Sequence, residues 1–335
     1  PYLALSKTYS ANQQTPDSAP TMTAMITGIK SNDGAISVTA QAVREDYRTV
    51  AGNEAMTLLE HAERAGLATG VVTTARLTHA TPAACYAHVP DRDWEADADL
   101  PADARAAGFP DIARQLIEFR HGDGLEVALG GGRSKFLPVG ETDPEYPDRR
   151  GERRDGRNLA AEWASAPGAA YVWNLAQFDA VDPRTTRRLL GLFERSHMQY
   201  EHDRGRDRGG EPSLAQMTVK AIELLAARDS GYVLMVEAGR IDHAHHAGNA
   251  FRALTDTIAL SEAVQAALER VDLRDTLVIV TADHSHVFTL AGYPRRGNDI
   301  LGKVIAAGEA GSSRDRDARP HTTPGYANRP GPRAL

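Results

Sequence analysis

The feature that most constrains this chain is its alternation of short apolar runs with segments of helical period. Leu67 to Thr73, Leu125 to Leu129, Tyr232-Val233-Leu234-Met235-Val236 and Thr276-Leu277-Val278-Ile279-Val280-Thr281 each lie next to an amphipathic stretch. Runs that lack polar alternation must be covered on both faces, which helices packed on a parallel sheet provide. The expected fold is therefore α/β, with a doubly wound, largely parallel central sheet flanked by helices. The spacing predicts helices over Asn53 to Ala65, Asp111 to His121, Ser213 to about Arg228, and Asn249 to Val271.

Residues 1–335 read as one large domain, because 41% hydrophobic content suffices for a sizeable core. Pro, Gly and charge interrupt the rhythm from about 138 to 215, which reads as an inserted peripheral region, and 308–335 reads as an irregular tail. Arg149 to Arg157 mixes both charges and reads as a solvated loop. A net charge of −7 and a pI near 6.0 argue against a nucleic-acid surface. No run is long and apolar enough to span a membrane. The single cysteine, Cys85, allows no disulfide within the chain.

Ligands in open α/β sheets bind beyond the carboxyl ends of strands, so reactive residues just after an apolar run carry weight. Two such ends are crowded with carboxylates and imidazoles: Glu237 to His246, and Asp283-His284-Ser285-His286. If a helical turn follows Glu237, Asp242 and His246 share one face at i, i+4 and can hold one ion together. Asp283 and His284 are adjacent and converge only on a turn. His243, His245 and His286 are expected to support the ligands, since an ion has few places. Ser18 opens a possible helix where backbone N–H groups favour an anion, or it is simply an N-cap. Gly130-Gly131-Gly132-Arg133 lacks the Lys-Ser/Thr ending of a phosphate loop and reads as a turn.

Together, Pro16-Asp17-Ser18-Ala19, His79-Ala80-Thr81-Pro82-Ala83, the Glu237 to His246 stretch and Thr281 to His286 resemble the alkaline phosphatase family. Leu5-Ser6-Lys7-Thr8-Tyr9, Leu129 to Arg133, Asp143 to Pro147 and Tyr171-Val172-Trp173-Asn174 extend the resemblance in the order of the animal-type members. It implies phosphate monoester hydrolysis, with Ser18 as nucleophile forming a phosphoseryl intermediate. By the same resemblance Asp242 and His246 bind one zinc, Asp283 and His284 a second, and Glu237 and Thr81 a magnesium. Arg92 binds the phosphoryl group and Asp17 orients it, while His79 and His243 stand behind the ligands. Glu145, the Phe193 carbonyl, Glu194 and Glu211 match a peripheral calcium site, whose oxygen-only ligands suit that ion.

The resemblance also places one shared metal-ligand Asp upstream of Pro1 and one zinc-binding His downstream of Leu335. The expectation is a chain truncated at both ends, lacking the first strand and the C-terminal part, with impaired activity. Members are commonly homodimers, exported to the periplasm or cell surface. A sulfatase is disfavoured, because Met22 stands where its Ser/Cys-x-Pro-x-Arg pattern needs Arg. Two alternatives stay open at this point: a phosphodiesterase of the same superfamily, and a non-catalytic protein that binds metal or phosphate.

Overall fold

The computed structural model describes residues 7–228 and 230–327, so Leu5 and Ser6 of the Leu5 to Tyr9 motif lie outside the described residues. One sheet is built from β1 (Ala68–Arg76), β2 (Val127–Gly131), β3 (Ala169–Val172), β4 (Arg188–Leu192) and β5 (Tyr232–Glu237). Its order is β3-β4-β2-β1-β5, and every neighbouring pair is parallel. Strand side chains alternate between faces, and this divides the core in two. Val71, Ala128, Leu190 and Met235 face helices Ser18–Thr27, Leu58–Arg64, Ile112–Ile117 and Leu159–Ala164. Val72, Val127, Leu189 and Leu234 face helices Leu214–Ala226 and Ala250–Leu268. The result is the expected three-layer α/β arrangement.

Caps set the helix starts. Ser213 and Gln216 form a capping box before Leu214, and Asn249 accepts from the Arg252 N–H before Ala250, at the two starts the sequence predicts, although the second helix ends at Leu268 rather than Val271. The first predicted helix starts later than Asn53, because Thr57 and Glu60 form a capping box that begins it at Leu58. The one predicted from Asp111 is capped by that residue but ends at Ile117. No helix among the described residues is long and apolar enough to cross a membrane.

Four expectations need correction. Thr276 to Thr281 is not a strand: no ladder pairs it, and Leu277 is 83% exposed. Apolar side chains predict burial, but a strand needs a hydrogen-bonded neighbour, and β5 remains an edge strand. The region read as a peripheral insertion supplies β3 and β4 of the main sheet, so only its flanking loops stand apart. The tail is not wholly irregular, because β7 (Pro324–Tyr326) pairs antiparallel with β6 (Phe288–Leu290) and buries Tyr326; residues 328–335 lie outside the described residues. Within the solvated-loop reading of Arg149 to Arg157, Arg153 is instead fully buried between Asp111 and Asp155.

Candidate metal centre

Strand order fixes where the site forms. β1 is flanked by β2 on one side and β5 on the other, so connections diverge there and leave a crevice beyond the strand ends. Thr73 lies in register with Glu237, which brings the segments after β1 and after β5 out side by side. The first leads to His79 and Thr81, the second into helix Arg240–His246 with Asp242, His243 and His246. Ser18 opens helix Ser18–Thr27 beside them. It is the first helical residue, while Asp17 is the cap and accepts from the Ala19 N–H.

Most of the residues singled out in the sequence are brought together. Ser18 Oγ lies 3.1 Å from His284 Nε2, and the Thr21 hydroxyl donates to Asp283 at 3.2 Å. His284 Nδ1 lies 3.0 Å from the Ser285 carbonyl, which only accepts, so Nδ1 carries the proton and Nε2 presents its lone pair to Ser18. Asp283 and His284 do converge on a turn, their side chains 3.4 Å apart. Asp242 and His246 share a helix face at 3.4 Å, and His286 approaches the other oxygen of Asp242 at 3.8 Å. That oxygen, Oδ1, is sealed from solvent and accepts no hydrogen bond. Asp242, His246 and His286 thus gather around one point, which gives His286 a closer place than a supporting one.

Burial pushes the Glu237 carboxyl up to about 7, opposed by hydrogen bonds from Thr73 and Thr81 and reinforced by Asp283 and Asp242. A carboxylate this costly to ionise alone fits a site that a cation completes.

His79 does something the sequence did not foretell. Its Nε2 accepts from Arg92 Nη2 at 3.0 Å, while Asp17 pairs with Arg92 Nη1 at 3.3 Å, so two acceptors hold the guanidinium. His197, which the sequence reading passed over, and His243 pack edge-on against the His79 ring. His197 faces Arg76, and His243 Nδ1 lies 3.0 Å from Arg240 Nη1. Burial first, then these guanidiniums, drive the three imidazoles well below the ordinary histidine range; His243 falls to about 3. Each imidazole faces an arginine: His79 faces Arg92, His197 faces Arg76 and His243 faces Arg240.

The peripheral carboxylates form a second cluster. Gly130 to Arg133 is not simply a turn: Gly130 and Gly131 end β2 and Gly132 caps a short helix that opens at Arg133, whose fully buried side chain pairs with Glu145 at 2.8 Å. Gly131 is required there, since a Cβ would stand 2.1 Å from the Ser196 carbonyl. Glu194 accepts from the Tyr146 hydroxyl, and Phe193 buries its ring against Phe178. Burial, then Asp207, pushes Glu211 up to about 9, and burial, then Glu145 and Glu194, raises Asp207 to about 6. Asp207 was missed because it sits in a Gly- and Arg-rich loop with no periodic signal. A third group, Glu63, Asp123 and Glu126, already has its cation: Arg228 lies within 3.1 Å of Asp123 and 2.9 Å of Glu126.

Comparison with known proteins bears on the family and the fold. The family model described as alkaline phosphatase matches residues 1–334. Alkaline phosphatase of Gadus morhua is 43% identical over 99% of this chain and 69% of its own length. A crystal structure of Thermus thermophilus alkaline phosphatase superposes with a TM-score of 0.68 at 34% identity, covering 86% of this chain and 52% of that one. A variant of the alkaline phosphatase from the Antarctic bacterium TAB5, described with Mg bound, shares the fold at a TM-score of 0.66 and 23% identity, covering 96% and 75%. The chain spans 63 to 69% of the length of curated relatives that it matches. On the family match over its whole length and the identity to these relatives, the chain belongs to the alkaline phosphatase family.

Proposed function

We propose that this chain carries the catalytic centre of a metal-dependent phosphate monoester hydrolase that works through a phosphoserine on Ser18. The observation that carries the reading is Ser18 Oγ, 3.1 Å from the His284 Nε2 lone pair and 266 residues away in sequence, at the switch-point crevice. Ser18 Oγ gives its proton to water as it attacks phosphorus, the P–O bond to the ester oxygen breaks in line, and the leaving alkoxide takes a proton from water and departs as the alcohol. Water then cleaves the Ser18 phosphoester, releasing inorganic phosphate and restoring the hydroxyl. The N-terminus of the ten-residue helix Ser18–Thr27 favours the negative charge of the phosphoryl oxygens. Arg92 grips two non-bridging oxygens with its planar fork, held in place by Asp17 and His79.

The donors suit the ions that the family implies. Asp242, with a sealed oxygen lacking any donor, and His246 would hold one zinc; Asp283 and His284 a second; Glu237 and Thr81 a magnesium. Bound there, the ions would supply Lewis-acid stabilisation of charge on the attacking and leaving oxygens. Glu145 and Glu194 would supply oxygen ligands to a calcium.

Comparing an aryl phosphate monoester with the matching diester, in the natural protein that carries this chain, tests the reading. The monoester is expected to react with a kcat/KM at least about 10³-fold higher, because the diester carries one negative charge fewer and a second ester group in place of one of the three free oxygens that the site surrounds. Equal or inverted preference would sink the monoesterase assignment in favour of a phosphodiesterase.

A further inference from the structure

Apart from the residues of the crevice, His88 sets both ring nitrogens against acceptors. Its Nε2 lies 2.8 Å from Glu60 Oε1 and its Nδ1 2.6 Å from the Ser37 carbonyl. The carbonyl only accepts, so Nδ1 carries a proton. Glu60 is held ionised by its other partners: Oε2 accepts from the Thr57 N–H at 2.7 Å, and Oε1 also lies 3.0 Å from His121 Nε2, whose ring accepts from Arg64 at Nδ1. Facing a carboxylate, His88 Nε2 is protonated too, and the ring is an imidazolium. Burial opposes that charge, yet the Glu60 hydrogen bond and charge, then the Ser37 carbonyl and Glu54, hold His88 above the ordinary histidine range. Helix Ile112–Ile117 presents the uncharged Gln115, which accepts from the His88 backbone N–H.

The imidazolium grips a strained turn. Ser37 is fully buried at φ +43, a left-handed conformation that serine rarely adopts. Its N–H donates to Thr23 Oγ1, its hydroxyl to the Ala84 carbonyl, and its carbonyl accepts from the Ala55 N–H as well as from His88. The residues just before it support Arg92 and Asp17. The Gly34 carbonyl accepts from the Arg92 N–H at 2.7 Å, Asp33 accepts from the Asp17 N–H at 3.3 Å, and Ile36 and Val89 exchange both backbone hydrogen bonds.

We propose that His88 is a positioning residue for the phosphoryl-binding arginine: its imidazolium clamps Ser37 and so seats the 33–37 loop against Arg92 and Asp17. This role rests on the reading of Arg92 as the residue that grips the phosphoryl group. A neutral His88 ring would turn a lone pair toward either the Glu60 carboxylate or the Ser37 carbonyl, and that contact would open.

Inhibition constants for inorganic phosphate, measured on the metal-loaded natural protein that carries this chain, test the role through a double-mutant cycle. His88→Gln is expected to raise the constant about tenfold and Arg92→Ala about 30-fold, while the double variant stays within about twofold of Arg92→Ala alone. Effects that simply multiply would mark His88 as a general structural residue and overturn the role. So would a His88→Gln constant within twofold of the parent while Arg92→Ala weakens phosphate. No weakening in Arg92→Ala would instead remove the phosphoryl-binding reading on which the role rests. Glu60→Gln, which keeps the capping box, replaces His88→Gln in the cycle should the latter fail to fold, with the same expected constants and the same grounds for rejection. Ring-nitrogen NMR shifts of histidine-labelled parent protein give an independent readout: both His88 nitrogens are expected to be protonated at about pH 7, and a lone pair on either one overturns the clamp.

Discussion

Replacement of Ser18 by alanine is expected to lower monoester turnover by at least about 10⁴-fold in the natural protein that carries this chain, with a much smaller change in KM. The reason is chemical rather than structural. Among the described residues, Ser18 is the hydroxyl that combines a helix N-terminus, an imidazole nitrogen at 3.1 Å and the Asp17-held Arg92 nearby. Asp17 caps the helix, so losing the Ser18 hydroxyl should leave the fold intact, and circular dichroism of the variant checks this. Arg92 and the ligands would still bind the phosphoryl group, which is why binding should survive while the covalent step does not. Ser18→Ala retaining turnover within tenfold of the parent would remove the phosphoserine route altogether.

The largest effect on stability is expected at Arg133. Its side chain is wholly buried, donates to both oxygens of Asp143, to Glu145 and to the Leu192 carbonyl, and stacks over Trp173. Arg133→Met keeps much of the volume but strands two buried carboxylates and one carbonyl. Removing one partner of a buried ionic cluster typically costs about 3–5 kcal/mol, far more than the pair itself contributes. Chemical denaturation of the metal-free protein should show that loss, and a difference below about 1 kcal/mol would contradict this account of the core. Lysine at the same position should recover only part of the loss, since one ammonium cannot reproduce the planar fork.

The parts of the fold that were legible in the sequence are those set by local pattern. The Tyr232 to Val236 run, the Ser213 and Asn249 caps and the i, i+4 spacing of Asp242 and His246 all depend on residues a few positions apart. The Thr276 to Thr281 run shows where such reading stops. Its side chains carry a strong strand signal, yet strand structure depends on a neighbour that local sequence does not specify. β3 and β4 failed in the opposite sense: Pro, Gly and charge around them masked two short strands that the sheet order then claimed.

By itself the sequence determined the layered α/β class, the two ligand-rich segments and, through ordered motifs, the family. Only the tertiary structure decided which of twelve histidines do what. It turned His79, a residue expected to stand behind the metal ligands, toward Arg92, joined it to the unforeseen His197, and drew His286 up to Asp242. It also set Asp207 among the peripheral carboxylates. The reason is that a ligand's or acceptor's role follows from where its lone pair points and what else is buried within a few ångströms. Those neighbours come from strand order and loop return, across separations of up to hundreds of residues, where local pattern carries no information.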